Sequence, residues 1–234
     1  MNRSIVSKYL YIFSFVLVIF VDFLSRTMFI EGFPFLRDVS KGLIIAASTM
    51  LLVKLLIDKH SKIELYTILI LIPILSVIIF MTKTYYTLLP ISLLVISVRN
   101  INLEKILRIW LFEIIILMLF VSVSYYMDII GETTRVFGRE GDKIRYGLGY
   151  GYSSFSANYF FHFTLFYSFI RREKIKVLEI IALFVTNYYL YLKTDTKSAF
   201  ACSVLLLFLV LVIKYLKLSK QNNFLNKYTM LFGF

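Results

Sequence analysis

The sequence predicts an all-α, polytopic integral membrane protein with about eight transmembrane helices and a cytoplasmic N-terminus. Three observations carry that reading. Of 234 residues, 59% are hydrophobic and 17% charged, whereas a soluble domain is about a quarter charged. Apolar runs of about 20 residues recur along the whole length, enough to cross a hydrocarbon core of about 30 Å. The cations behind the net charge of +12 lie in short loops between those runs. There they act as orientation signals and contacts for membrane lipids, and no nucleic acid partner is implied.

The runs fall at about 8–24, 39–57, 63–81, 85–98, 109–129, 155–170, 177–192 and 199–216. The first is followed by further spans and lacks a small-residue cleavage site, so it is a span and not a signal peptide. The fourth is short for a bilayer and reads as tilted or partly re-entrant. Pro73 and Pro90 fall inside or at the ends of spans, where neighbours can re-satisfy the backbone. With three prolines and no Ser/Gly linker, residues 1–234 read as a single transmembrane domain. Cys202 is the one cysteine and sits in an apolar run, and His60 and His162 are the two histidines. Disulfides, thiolate metal sites and a histidine-rich metal cluster are therefore not supported, and no cofactor is implied.

Orientation follows from Lys and Arg in the short loops. Sixteen of the 26 fall on the side of the N-terminus and ten on the other, and four of the ten crowd into one loop. That places the N-terminus in the cytoplasm and the loop at about 130–154 outside. This loop reads GETTRVFGREGDKIRYGLGYGYSS and carries Arg135, Arg139, Lys143 and Arg145. One reading is a solvated loop neutralised by Glu132, Glu140 and Asp142. The other is an anion site, because arginine donates in pairs to phosphate and stays charged. Glycines 138, 141, 147, 149 and 151 would let backbone N–H groups approach that anion.

The next helix starts near Ser153 or Ser154, either of which can cap it. Ser154, Asn158 and His162 follow at steps of four and share a face. Polar groups at membrane depth face a protein interior or a water-filled cavity, so His162 is either a helix–helix hydrogen-bond partner or a proton acceptor. The next outer turn, YYLYLKTDTKSAF, brings Tyr188, Tyr189 and Tyr191 to Lys193–Ser198. It is either an aromatic belt with a polar turn or a second wall of the same site. Asp22 and Glu113 are isolated acids in spans, with Lys41 and Arg108 as candidate partners. The C-terminal NKYTMLFGF reads as the approach to a ninth span, and so as a chain that stops short of a longer protein's C-terminal part.

Two blocks resemble the Wzy-type polysaccharide repeat-unit polymerases and O-antigen ligases, notably capsular polysaccharide polymerases. The family shows an outward segment like R-x-x-L-G-[FY]-x-H-P-N entering a span. Arg145-Tyr146-Gly147-Leu148-Gly149-Tyr150 stands in its place, with Tyr152-Ser153-Ser154 where H-P-N would follow. About one span later comes a T-x-S-R-T-like turn, matched by Thr194-Asp195-Thr196-Lys197-Ser198 with Lys for Arg. The resemblance covers residues 130–215 by motif.

The resemblance implies a metal-independent glycosyltransferase in the cytoplasmic membrane of a bacterium. It would join undecaprenyl-pyrophosphate-linked oligosaccharide repeats at the outer face, alongside a flippase and a chain-length regulator of the same pathway. Arg135, Arg139, Arg145 and Lys197 would hold the pyrophosphate leaving group. His162 or Asp142 would take the acceptor's proton, and Tyr152, Asn158, Thr194 and Asp195 would contact substrate. Two other classes fit the same pattern: a flippase or carrier for lipid-linked sugars, which needs the cations but no base, and a truncated, non-catalytic membrane subunit.

Overall fold

The computed structural model describes residues 3–82, 88–99, 101–136 and 144–215. Among them the chain is helical apart from one small hairpin. In order come α1 (Arg3–Ser25), the single turn α2 (Phe29–Gly32), α3 (Phe35–Ile57), α4 (Lys62–Thr82), α5 (Leu88–Ile96) and α6 (Leu103–Tyr126). Strands β1 (Thr134–Val136) and β2 (Ile144–Tyr146) follow, then α7 (Ser153–Arg171), α8 (Val177–Thr194) and α9 (Lys197–Tyr215).

Among the described residues, five helical segments are long and apolar enough to cross a membrane: Arg3–Ser25, Phe35–Ile57, Glu64–Thr82, Leu103–Tyr126 and Lys197–Lys214. Such a set is compatible with a multi-pass membrane protein. The other three expected spans are also helical but differ in kind. Helix α5 has nine residues, a rise of about 13 Å, less than half of a hydrocarbon core. Helices α7 and α8 have 19 and 18 residues, and their Ser, Thr, Asn, His and Tyr side chains lower the mean hydropathy.

The chain forms two compact units, residues 1–132 with 149–151, and residues 133–148 with 152–234. The first unit is built on the antiparallel pair α1 and α3. Along α1 the buried residues include Ser7, Tyr11, Ser14, Val18 and Val21; along α3 they include Ser40, Ile44, Ala47, Leu51 and Lys54. Both series alternate steps of four and three, the spacing of a left-handed helix pair. Serine and alanine on this seam let the backbones approach closely, which suits packing in lipid. At one end of the seam Lys54, fully buried, donates to Asp58 at 2.5 Å, and Ser7 donates to the other oxygen at 2.6 Å. The Lys54 ammonium also lies 5.7 Å from the Tyr11 ring centroid.

Helix α6 starts on an Asn102 cap whose side chain accepts from the Lys105 amide, and it meets α1 where Trp110 sets its edge against Phe15. Asp22 and Arg108 find partners locally: Asp22 pairs with Arg26 at 2.9 Å and Arg108 with Glu104 at 2.6 Å, while Lys41 pairs with Asp38. Both Glu113 carboxyl oxygens are buried without a hydrogen-bond partner among the described residues.

Segment 149–151 belongs to this unit and lies against residues 26–28. The Met28 amide donates to the Gly149 carbonyl at 3.0 Å, the Gly151 amide donates to the Arg26 carbonyl at 2.9 Å, and Tyr150 packs edge-on to Phe23. Gly149 has φ +83, and a Cβ there would stand 2.9 Å from Ile130 Cδ1. Only glycine fits that position without strain.

Among its described residues, the second unit is a bundle of three helices with the β1–β2 hairpin. A short turn at 172–174 joins α7 to α8, with Arg172 at φ 45. Arg171 pairs with Glu179 at 2.8 Å across it, and the second Glu179 oxygen accepts from the Lys176 amide. A two-residue turn, Asp195–Thr196, joins α8 to α9, with Asp195 in the left-handed conformation at φ 49. Two reversals leave α7 and α9 running parallel and packed on each other. Midway along the bundle, Ser203 donates to the Asn187 side-chain carbonyl at 2.8 Å, and the Asn187 amide donates to Thr164 at 3.2 Å and to the Leu183 carbonyl at 2.9 Å. One buried polar layer thus ties all three helices in register.

Candidate functional site

The chemistry-bearing residues of the second unit gather where α7 and α9 begin. Strands β1 and β2 pair antiparallel in the register Thr134↔Tyr146, Arg135↔Arg145 and Val136↔Ile144, and the Gly147 amide extends the ladder to the Thr133 carbonyl at 3.0 Å. This hairpin presents Arg145 to the α8–α9 turn. There its guanidinium donates to Asp195 at 2.7 Å across fifty residues of sequence. Lys193, two residues back in the last turn of α8, lies 5.6 Å from the Tyr146 ring centroid, a second contact between hairpin and helix. The Asp195 backbone is fixed as well, since its amide donates to the Tyr191 carbonyl at 2.8 Å.

Beside the Arg145–Asp195 pair is a cavity of about 470 Å³. Arg145, Asp195 and Lys197 supply charge, and Tyr152 forms an aromatic wall, half exposed and edge-on to Phe155. Ser153 and Ser154 enter from the first turn of α7, and Thr196 and Ser198 from the start of α9. The side chains of the pair keep 32% and 19% of their exposure, so the pair is reachable from the cavity. Two cations, one carboxylate and four hydroxyls around one opening can bind an oxyanion and hydrogen-bond a polyhydroxylated group.

Four expected site residues therefore come together: Arg145, Tyr152, Asp195 and Lys197. Thr194, Asn158 and His162 do not line this cavity. Thr194 is fully buried, and its hydroxyl turns back to the Leu190 carbonyl at 2.8 Å. Asn158 is an exposed residue one turn along α7 from Ser154. His162 lies eight residues beyond Ser154 on the same helix, about 12 Å along the axis, where it is half-buried and stacks on Phe166. Arg135 sits opposite Arg145 in the backbone register. Arg139 and Asp142 lie outside the described residues, as does the C-terminal NKYTMLFGF.

The glycines have a different role from the one expected. The Gly147 and Gly151 amides are used within the fold, on the Thr133 and Arg26 carbonyls, and Gly149 answers a steric demand. Glycines 138 and 141 lie outside the described residues.

Ser153, Ser154, Thr196 and Ser198, which the sequence offers as helix caps and as part of a turn that could wall a site, also line the cavity. The signal for them was available: each lies within two residues of a site residue at a helix start. The side chain of the residue preceding α7 makes no capping bond. The chain matches no protein-family model, no curated protein and no solved structure.

Proposed function

We propose that the chain is a multi-pass protein of a bacterial cytoplasmic membrane that binds a lipid-linked pyrophosphate sugar in the Arg145–Asp195–Lys197 cavity. It uses that cavity to join oligosaccharide repeats into a surface polysaccharide, as the resemblance to the Wzy-type polymerases and O-antigen ligases suggests. The observation that carries this reading is the joining of both family-like blocks, residues 145–150 and 194–198, by one ion pair beside one cavity. On the charge pattern of the loops, the N-terminus is cytoplasmic and the cavity faces outward.

In this reaction an acceptor sugar hydroxyl attacks the anomeric carbon of the donor chain. The carbon–oxygen bond to the lipid pyrophosphate breaks, and the pyrophosphate leaves with the electron pair. Arg145 and Lys197 stabilise the charge that develops on the leaving group. Asp195 takes the hydroxyl proton. In the resting pair this carboxylate is held by Arg145; a pyrophosphate that engages the guanidinium releases it, so substrate binding switches on the base. His162 stands too far along α7 to share that proton without rearrangement.

The same position of His162 favours one rival, a carrier for lipid-linked sugars that needs the cations and no base. A gel profile of surface polysaccharide separates the two. Cells lacking the gene should accumulate single lipid-linked repeats, wild-type complementation should restore the ladder, and Asp195→Asn should leave single repeats on the outer face. A full ladder from Asp195→Asn contradicts the catalytic reading. Single repeats retained on the inner face would make the protein a carrier.

A further inference from the structure

A second groove lies at the opposite end of the same helix pair. It measures about 400 Å³ and runs between the C-terminal halves of α7 and α9, with Leu165, Phe169 and Leu206 along its wall and Arg172 and Lys214 at its end. Both cations are positioned by the fold. The Arg172 guanidinium lies 5.3 Å from the Phe169 ring centroid, and the Lys214 ammonium donates to the Ile175 carbonyl, which leaves two of its three protons for a ligand. Set into the wall is Ser168, 5% exposed, whose hydroxyl has no hydrogen-bond partner among the described residues. An unpaired buried hydroxyl is unfavourable unless something completes it.

We propose that this groove is a binding site for one anionic glycerophospholipid. An acyl chain lies along Leu165, Phe169 and Leu206, the ester region receives the Ser168 hydroxyl, and Arg172 and Lys214 hold the headgroup phosphate. Charge complementarity selects this occupant. The carbonyl ends of two parallel helices repel a phosphate by themselves, yet the sequence around this end carries Arg171, Arg172, Lys174, Lys176 and Lys214 against two acids, Glu173 and Glu179, and Glu179 is taken by Arg171. A neutral lipid would leave that surplus unused. The proposal rests on the membrane reading and its orientation, which puts this end in the anionic cytoplasmic leaflet. It does not depend on the polymerase reading.

The full chain is reconstituted in nanodiscs of phosphatidylglycerol and phosphatidylcholine, and the lipid retained on release is counted by native mass spectrometry. Wild type should retain one phosphatidylglycerol. Each lost cation should weaken retention about fivefold, so Arg172→Gln with Lys214→Gln should weaken it about 25-fold, while Lys214→Arg keeps it. Leu206→Trp, which fills the groove and leaves the charge intact, should also lose the lipid. The charge-matched control Lys59→Gln with Lys105→Gln should retain it. Equal loss from that control, equal retention of phosphatidylcholine, displacement by inorganic phosphate, or unchanged binding in both groove variants would overturn the proposal. Extraction of the chain from membranes by carbonate without detergent would instead remove the membrane reading beneath it.

Discussion

Of the carboxylate–cation pairs in this protein, Lys54–Asp58 in the first unit and Arg145–Asp195 in the second are built for different ends. Lys54 and Asp58 are four residues apart, their side chains 0% and 10% exposed, with Ser7 as a further donor and Tyr11 under the ammonium. Arg145 and Asp195 are fifty residues apart, keep 32% and 19% exposure, and flank a cavity of about 470 Å³. The first pair is enclosed by helix packing and can do little except fix the α1–α3 seam. The second links two distant segments and still presents both charges to an opening. A charge pair is open to a ligand when the fold leaves room beside it, and is a structural pin when the fold closes over it.

The two pairs should differ most sharply in their response to single and double replacement. Lys54→Met leaves Asp58 buried without its partner and should cost about 3–5 kcal/mol of stability. In the thermal melt of the solubilised protein this would appear as a large fall in Tm. Adding Asp58→Leu should recover most of the loss, since a well-packed apolar pair replaces a buried ion pair at little cost.

For the other pair the same logic fails. Arg145→Ala should leave the melt nearly unchanged and lower polymer formation about 10²–10³-fold. No replacement of Asp195 should rescue it. Arg145→Lys should recover only part, because an ammonium lacks the paired donors of a guanidinium.

A smaller effect is expected at the polar layer of the second unit. Asn187→Leu removes the bonds to Thr164 and Ser203 and should cost about 1–2 kcal/mol, read again by melting, with polymer formation falling no more than the folded fraction does.

The smallest is a pH effect at Asp58. Burial pushes this carboxyl up, and hydrogen bonds from Lys54 and Ser7, with the Lys54 charge, outweigh that and hold it below the usual carboxylate range. A lowered value means the stability is fully present above the unfolded carboxylate pKa of about 3.9 and is lost as pH falls through the folded one. Melts between pH 7 and pH 5 should therefore show no contribution from Asp58. Below about pH 4 the wild type should lose stability, and the Lys54→Met, Asp58→Leu protein should lose less.

The two pairs also show what was legible in the sequence. Helix positions were, because apolar runs fix them: the run at 39–57 is the body of α3, and that at 155–170 lies within α7. Arg145, Asp195 and Lys197 stood out as candidates too, since polar residues at the edge of an apolar run need a physical reason, and the fold brings them to one cavity. The Lys54–Asp58 pair was hidden, because Lys54 reads as one more loop cation until the seam of Ser7, Ser14 and Ala47 shows which face of α3 is enclosed.

His162 and Thr194 misled for the opposite reason. Helical spacing put His162 on a face with Ser154 but carried it about 12 Å along the axis, and a threonine at a helix end bonds back to its own turn. Tertiary pairing, such as Gly151 with Arg26, has no local signature at all.

The central claim is that the cavity beside Arg145 and Asp195 binds a pyrophosphate group. The direct test is equilibrium binding of inorganic pyrophosphate to the solubilised full chain, as wild type, as Arg145→Ala with Lys197→Ala, and as Lys54→Met with Asp58→Leu. Saturable binding by wild type and by the Lys54, Asp58 protein, with loss in the Arg145, Lys197 protein, is the result this account predicts. Equal binding by all three would contradict it.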